Sequence, residues 1–262
     1  MLMDSAGTLA FQRAIESVVK PGDTVVNGGS GSGIVSFFSA RSGAGKVYGL
    51  EITNMAEEAR EIAKDNALSD HVEFVHIDAG EFEPPKEIDV LLGEWVGYYL
   101  IEQWHHFEVF SRLRDKHLSK SGAVMLSRIK LFFCPVDDSR LYMECGHGFW
   151  EAPVYGFNFE HAGRSQYKEP HRVLVQADKR ILLEAHEIFD MNCLTAKASD
   201  MFFESSFETG MRGPARCHGY IGFFLLDLAP GATTDTSPFS RKHAGSSRIF
   251  RLRPSPWRLM TS

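Results

Sequence analysis

A chain of 262 residues, 44% of them hydrophobic, is long enough for one large domain or two small ones, each with a buried core. A formal charge of −6 argues against a general nucleic-acid binder, a local basic patch being the alternative; no direct sequence-specific nucleic-acid binding is expected, and no run approaches the ~18 apolar residues of a membrane span. Cys134, Cys145, Cys193 and Cys217 show no C-x-x-C pairing and no histidine at metal-ligand spacing, which favours reduced structural thiols over a disulfide or zinc framework.

The start, MLMDSAGTLAFQRAI, lacks the basic and apolar segments of a signal peptide, so the expectation is a soluble cytosolic or nuclear protein. Leu9 to Val19 carries apolar residues at helical spacing, and Pro21-Gly22-Asp23 is a turn. A short β-branched strand follows from Thr24 to Asn27, then a glycine loop and a helix over Ile34 to Ala40. Lys46 to Leu50 is a second strand ending at Glu51, Met55 to Asn66 a helix rich in Ala and Glu, Val72 to Ile77 a third strand and Ile88 to Leu92 a fourth. Strands apolar on both faces and separated by helices imply a parallel sheet covered on both sides.

The pattern changes at the Ser119–Gly122 turn, SKSG. Beyond it VMLSRIKLFFCPV, RILLEAHEIFDM, MFFESSFET and CHGYIGFFLLDL are β-rich segments separated by turn residues, as in an antiparallel β domain or partial barrel. The expected division is residues 1–122 and 123–262. Between these strands, residues 148–170 are irregular and aromatic, with Phe149, Trp150, Tyr155, Phe157, Phe159 and Tyr167. This stretch reads either as core or as an interface anchor on a projecting segment.

The chemistry concentrates at TVVNGGSGSGI. Gly29, Gly31 and Gly33 form G-x-G-x-G, shorter than the G-x-G-x-x-G that cradles a pyrophosphate. The loop Asn27, Gly29, Ser30, Gly31 and Gly33 therefore suits a cofactor with an adenosine but no pyrophosphate, such as S-adenosylmethionine; the alternative is a tight turn with no ligand. Glu51, 18 residues after Gly33, is placed to accept hydrogen bonds from both ribose hydroxyls. Glu94 follows the fourth strand, where ligands of open α/β sheets sit, and a carboxylate there suits a cationic substrate.

VVNGGSGSGIVSFFSARSGAGKVYGLE, DVLLGEWVGYYL, FWEAPVYGFNF and TDTSPF together resemble the protein arginine methyltransferase family over nearly the whole chain, from about Met1 to Phe250. The resemblance implies a Rossmann-like S-adenosylmethionine domain followed by a β-barrel-like domain shortened at its C-terminus, a dimerisation arm at about 148–170, and Arg/Gly-rich protein substrates. It assigns Glu94 and Glu102 to the substrate guanidinium and Glu81 to the adenine amino group.

The departures from that family fall on the chemistry. Asn27 stands where the family has Asp, and Gly7 where an Arg holds the cofactor carboxylate. The Tyr-Phe helix that precedes this element in the family has no counterpart in these residues. Gln103 replaces the second hairpin glutamate, with Glu102 one place earlier and so turned by about 100° on a helix. Lys242-His243-Ala244 stands at the Thr-His-Trp site, and the ending RIFRLRPSPWRLMTS carries four arginines and two prolines where further barrel strands would run. One lost charge-assisted hydrogen bond of roughly 1.5–3 kcal/mol weakens binding about ten- to a hundredfold. Cofactor binding is therefore expected to be weakened or lost. The expected role is a catalytically impaired subunit that assembles with an active arginine methyltransferase, or with itself. The alternatives are an active arginine N-methyltransferase using Glu94 and, against the evidence of the β-rich half, a methyltransferase of another substrate.

Overall fold

The computed structural model describes residues 2–93, 104–166, 173–174, 184–209, 217–239 and 248–249. The chain divides into two compact units. One comprises Met1–Lys130, Asp190–Glu204 and Leu225–Asp235; the other comprises Leu131–Phe189, Ser205–Phe224 and Thr236–Ser262.

In the first unit, α1 (Ser5–Val18), β1 (Thr24–Gly28), α2 (Ile34–Arg41), β2 (Lys46–Glu51), α3 (Met55–Asp65), β3 (Val72–His76) and β4 (Ile88–Gly93) alternate as the apolar pattern requires. α4 (Trp104–His117) and β5 (Leu118–Met125) complete it, and the five strands form a parallel sheet in the order β3-β2-β1-β4-β5. Val25, Val26, Val47, Leu50, Leu91 and Leu92 are fully or almost fully buried on these strands. Each such side chain contributes about 1.5–3 kcal/mol. α1 begins cleanly because the Asp4 carboxylate accepts the Gly7 N–H at 3.0 Å, and it packs against α2, β5 and β10. On α3, Arg60 Nε donates to the Phe74 carbonyl on β3, 2.8 Å away.

Two expectations fail here. Ser119–Gly122 is not a turn: it lies inside β5, whose register against β4 shifts between Ile88 and Val90. The polar residues fit because Lys120 and Ser121 are exposed at the sheet's outer strand. MFFESSFET is not a strand; a short 3-10 turn, Ala198–Met201, leads into irregular chain.

The remaining strands are β6 (Arg128–Val136), β7 (Val173–Leu174), β8 (His186–Asn192), β9 (Gly219–Ala229), β10 (Ala232–Asp235) and β11 (Arg248–Ile249). They form a four-stranded sheet in the order β10-β9-β6-β8 and a two-stranded antiparallel pair, β11-β7. In the second unit the rings of Phe132 and Phe223 stack with centroids 5.2 Å apart. Three short helices, α5 (Ser139–Cys145), α6 (His147–Trp150) and α7 (Glu160–Gln166), pack in series. Between α6 and α7, Tyr155 and Gly156 take φ of 50° and 85° and reverse the chain, so that Val154 and Phe157 bond to one another. Among the described residues no helix is long and apolar enough to cross a membrane.

Candidate functional site

The strand order makes the site. The chain runs β1-β2-β3 to one side, then crosses to place β4 on the other flank of β1, which opens a crevice beyond the carboxyl ends of β1 and β4. Gly28 and Gly93 pair at that end.

The glycines have separate jobs. Gly33 starts α2 at φ 88°, and a Cβ there would lie 2.4 Å from Phe74 Cζ and 2.9 Å from Phe37 Cζ. Gly29 and Gly31, at φ 71° and 50°, have nothing within 4 Å of a would-be Cβ, and neither has Gly28. One glycine is held by packing; the others border open space. The loop is fixed from below, where Gly29 and Ser30 both donate N–H to the Leu50 carbonyl at 2.9 Å.

Asn27 is completely buried at the base of this loop. Its Nδ2 donates to Ser36 Oγ at 3.1 Å, whereas its Oδ1 and the Oγ of buried Ser30 have no hydrogen-bond partner. Unpaired buried polar atoms cost free energy, and two beside an open glycine cradle fit a ligand that supplies donors.

Glu51 ends β2 with 9% exposure. Oε2 accepts the Gly31 N–H at 2.9 Å; Oε1 accepts the Thr53 N–H at 2.9 Å and the Thr53 Oγ1–H at 2.7 Å. Burial alone would raise its pKa, but the bonds from the Thr53 hydroxyl and from the Thr53, Gly31 and Ile52 N–H groups outweigh burial and hold it below the ordinary value. The carboxylate is ionised at neutral pH, and most of its acceptor capacity is already taken.

Glu81 closes a 3-10 turn, Ala79–Glu81, after β3; it is exposed, with no side-chain partner among the described residues. The sequence reading missed Asp78. It stands two residues past the end of β3, and its Oδ1 accepts the Gly80 N–H at 2.8 Å, which sets the turn. The rule that picked Glu51, an acid at or near a strand's carboxyl end, finds it too. Glu94, Glu102, Gln103 and Lys242-His243-Ala244 lie outside the described residues.

No group of three or more metal-ligating side chains occurs among the described residues. Cys134, Cys193 and Cys217 are thiols outside any disulfide; burial pushes Cys193 up to about 12, against the opposing influence of Arg114, so it is protonated and unfit as a nucleophile.

The family model for ribosomal protein L11 methyltransferase (PrmA) matches residues 7–111, the segment that carries this crevice. Over 258 residues the chain is 30% identical to protein arginine N-methyltransferase 1 of Chlamydomonas reinhardtii, covering 96% of this chain and 74% of that protein. It is likewise 30% identical to protein arginine N-methyltransferase 1 of Schizosaccharomyces pombe, covering 95% and 74%. In three dimensions it resembles a chain of the Trypanosoma brucei PRMT1 enzyme-prozyme heterotetrameric complex with AdoHcy, with a TM-score of 0.85 at 23% identity over 97% of this chain and 81% of that one.

Proposed function

The chain belongs to the protein arginine N-methyltransferase family, and we propose that within it this chain is a cytosolic or nuclear subunit of reduced catalytic power that assembles with an active arginine methyltransferase and supports it. The observation that carries this reading is Asn27. Where the family motif has a carboxylate, this chain buries a neutral amide with an unpaired carbonyl oxygen. A ligand ammonium would meet a neutral acceptor rather than a charge, and a neutral hydrogen bond is worth about half a charge-assisted one. Gly7 in place of the cofactor-binding Arg weakens the same pocket in the same direction, and Gln103 in place of the second hairpin glutamate weakens the clamp on the substrate guanidinium.

S-adenosylmethionine would lie with its amino-acid end over Gly29 and Gly31 and its ribose at Glu51, with Asp78 and Glu81 at the purine end. Bound there, it supplies an electrophilic methyl group. The chain's own part is to orient an incoming guanidinium nitrogen, and one glutamate with a glutamine orients it less well than two carboxylates. A second reading, an active arginine methyltransferase using Glu94, draws on the open glycine cradle and the ionised Glu51.

Calorimetric titration of S-adenosylmethionine into the purified chain, alone and co-expressed with an active relative, separates the two. We expect weak binding and no methylation of an Arg/Gly-rich peptide by the chain alone. A rise in the partner's activity is expected on assembly, and it should survive Glu94→Gln. Micromolar affinity together with methylation by the isolated chain would overturn the subunit reading.

The assembly surface we assign to the segment from α5 to α7. Tyr155 at its turn is 96% exposed and Phe157 69%, and Phe149 and Phe159 are also exposed. Aromatic residues displayed in this way are interface anchors. Trp150 instead packs inward, where a Cβ on Gly163 would lie 2.6 Å from its own Cβ, and it braces the segment. Tyr155→Ala should leave the melting temperature unchanged and weaken association about tenfold or more in sedimentation experiments. Trp150→Ala should reduce both association and stability. Unchanged assembly in both variants would remove this surface from consideration.

A further inference from the structure

Within the second unit, the segment from α5 to α7 is joined to β6 and β9 through an imidazole. β6 ends at Val136, whose carbonyl accepts the His218 N–H at 2.9 Å, one residue before β9 begins. That bond sets the His218 ring against the first residue of the connection into α5. Its Nδ1 lies 2.9 Å from Asp137 Oδ1, with the His218 side chain 9% exposed and that of Asp137 36%. The approach is that of an ion pair and not of an aligned hydrogen bond, so the attraction depends on the charge of the ring.

On α5, Tyr142 sets its ring 5.2 Å from the same imidazole, and its hydroxyl donates to Glu151 Oε1 at 2.5 Å, just past α6. The turn that displays Tyr155 opens three residues later, at Val154. A line of contacts therefore runs from the strands through His218 and Tyr142 to the exposed aromatic surface. Facing His218 among the described residues are Asp137 and Tyr142; buried Asp138 adjoins Asp137, and Cys217 and Tyr220 flank His218 along its own strand end. An imidazolium is drawn both to the carboxylate and to the tyrosine ring, and a neutral ring is drawn less to either. Histidine is the side-chain type that ordinarily changes charge between about pH 5 and 8, whereas carboxyl, thiol and phenol groups ordinarily do so outside that range.

We propose that assembly through the α5–α7 surface is governed by pH, with the charge on His218 as the switch: the protonated ring seats the segment on Asp137 and Tyr142, and loss of the proton loosens it. The inference rests on the assignment of that surface to assembly. An imidazolium–carboxylate attraction is present at low pH and lost as the pH rises, so assembly is tighter on the acid side of neutrality.

Sedimentation of the complex with a co-expressed active relative, at about pH 6 and about pH 8, should show association about three- to tenfold weaker at the higher pH. Hydrogen exchange over residues 139–157 of the chain alone, corrected for the intrinsic pH dependence of exchange, should show protection falling in the same direction. Asp137→Asn keeps the shape and removes the charge, and should leave both readouts flat at the weaker level; His218→Gln should do the same. Tyr142→Phe loses only the tie to Glu151, so it should weaken association at both pH values and keep the dependence. A merely structural role for the pair would lower stability in the variants without removing a pH dependence. Flat association and flat protection in the unaltered chain would overturn the inference, as would a dependence that survives both Asp137→Asn and His218→Gln. Should Tyr155→Ala leave association untouched, the surface assignment falls, while the exchange readout still decides whether His218 governs the segment. The comparison on the unaltered chain needs no variant, so the outcome does not depend on the variants folding.

Discussion

Replacing Glu51 with alanine is expected to cut affinity for S-adenosylhomocysteine about ten- to a hundredfold, the worth of one charge-assisted hydrogen bond of roughly 1.5–3 kcal/mol. The loss has a local component as well, because the Gly31 N–H and both Thr53 donors lose their acceptor together. Glu51→Gln should fall between the two, since a carboxamide keeps one accepting oxygen and turns an NH2 toward these donors. The pH dependence follows from the lowered folded-state pKa. A carboxylate held below its ordinary value of 4.5 contributes stability that is fully present above that value and lost as the pH falls through the lower, folded one. Stability and affinity owed to Glu51 should therefore be flat from neutral pH down to the ordinary carboxylate range and decline only below it. Melting temperatures and ligand affinities across that range, compared with Glu51→Gln, check this. A decline beginning above that range, and absent from Glu51→Gln, would mean that the carboxylate is not held as described.

Gly33→Ala and Gly31→Ala should separate the fold from the ligand within one loop. At Gly33 a methyl group meets Phe74 and Phe37 at distances no packed carbon accepts, and the φ of 88° is itself unfavourable for alanine. Overpacking of about 1–3 kcal/mol with a left-handed backbone cost of ~1–2 kcal/mol predicts a loss of about 2–5 kcal/mol, or a midpoint lower by roughly 10 °C. At Gly31 the backbone strain is similar in kind, but the methyl group enters open space. Stability should fall by only about 1–2 kcal/mol, while ligand affinity falls tenfold or more because the cradle is filled. Thermal unfolding and calorimetry on the same two proteins decide it. Unchanged ligand affinity in Gly31→Ala would show that the space over Gly31 is not the ligand's.

The sequence made β1 to β4 and α1 to α3 legible because parallel strands buried on both faces leave uninterrupted apolar runs, and the helices between them carry clear periodicity. It concealed β5, where Ser119, Lys120, Ser121 and Gly122 have turn propensity but sit on an outer strand that tolerates them. α4 went unread although Phe107, Phe110 and Leu113 are spaced for it, because its buried face also includes Ser111 and Arg114. Arg114 is accommodated there by donating to the Cys193 carbonyl at 2.6 Å and to Asp115 at 2.7 Å, partners that no local pattern reveals. Within the site, the glycine spacing and Glu51 were evident from strand-end logic. The saturation of Glu51 by Thr53 was not, since hydrogen-bond occupancy is a property of three-dimensional placement and leaves no mark in residue type.

The guanidinium of Arg60 on the Phe74 carbonyl bears on how this molecule meets others. β3 is the outermost strand on its side of the sheet, and outermost strands are templates for unwanted pairing with neighbouring chains. A side chain from α3 bonded to the strand's central carbonyl, with Glu57 holding the same guanidinium at 2.6 Å, acts as a fence along that border. An intruding strand would have to evict a charged group that already has two partners. Growth of the sheet from molecule to molecule is thereby discouraged on this flank, in keeping with the proposal that partners meet this chain through a side-chain surface, the aromatic one between α5 and α7.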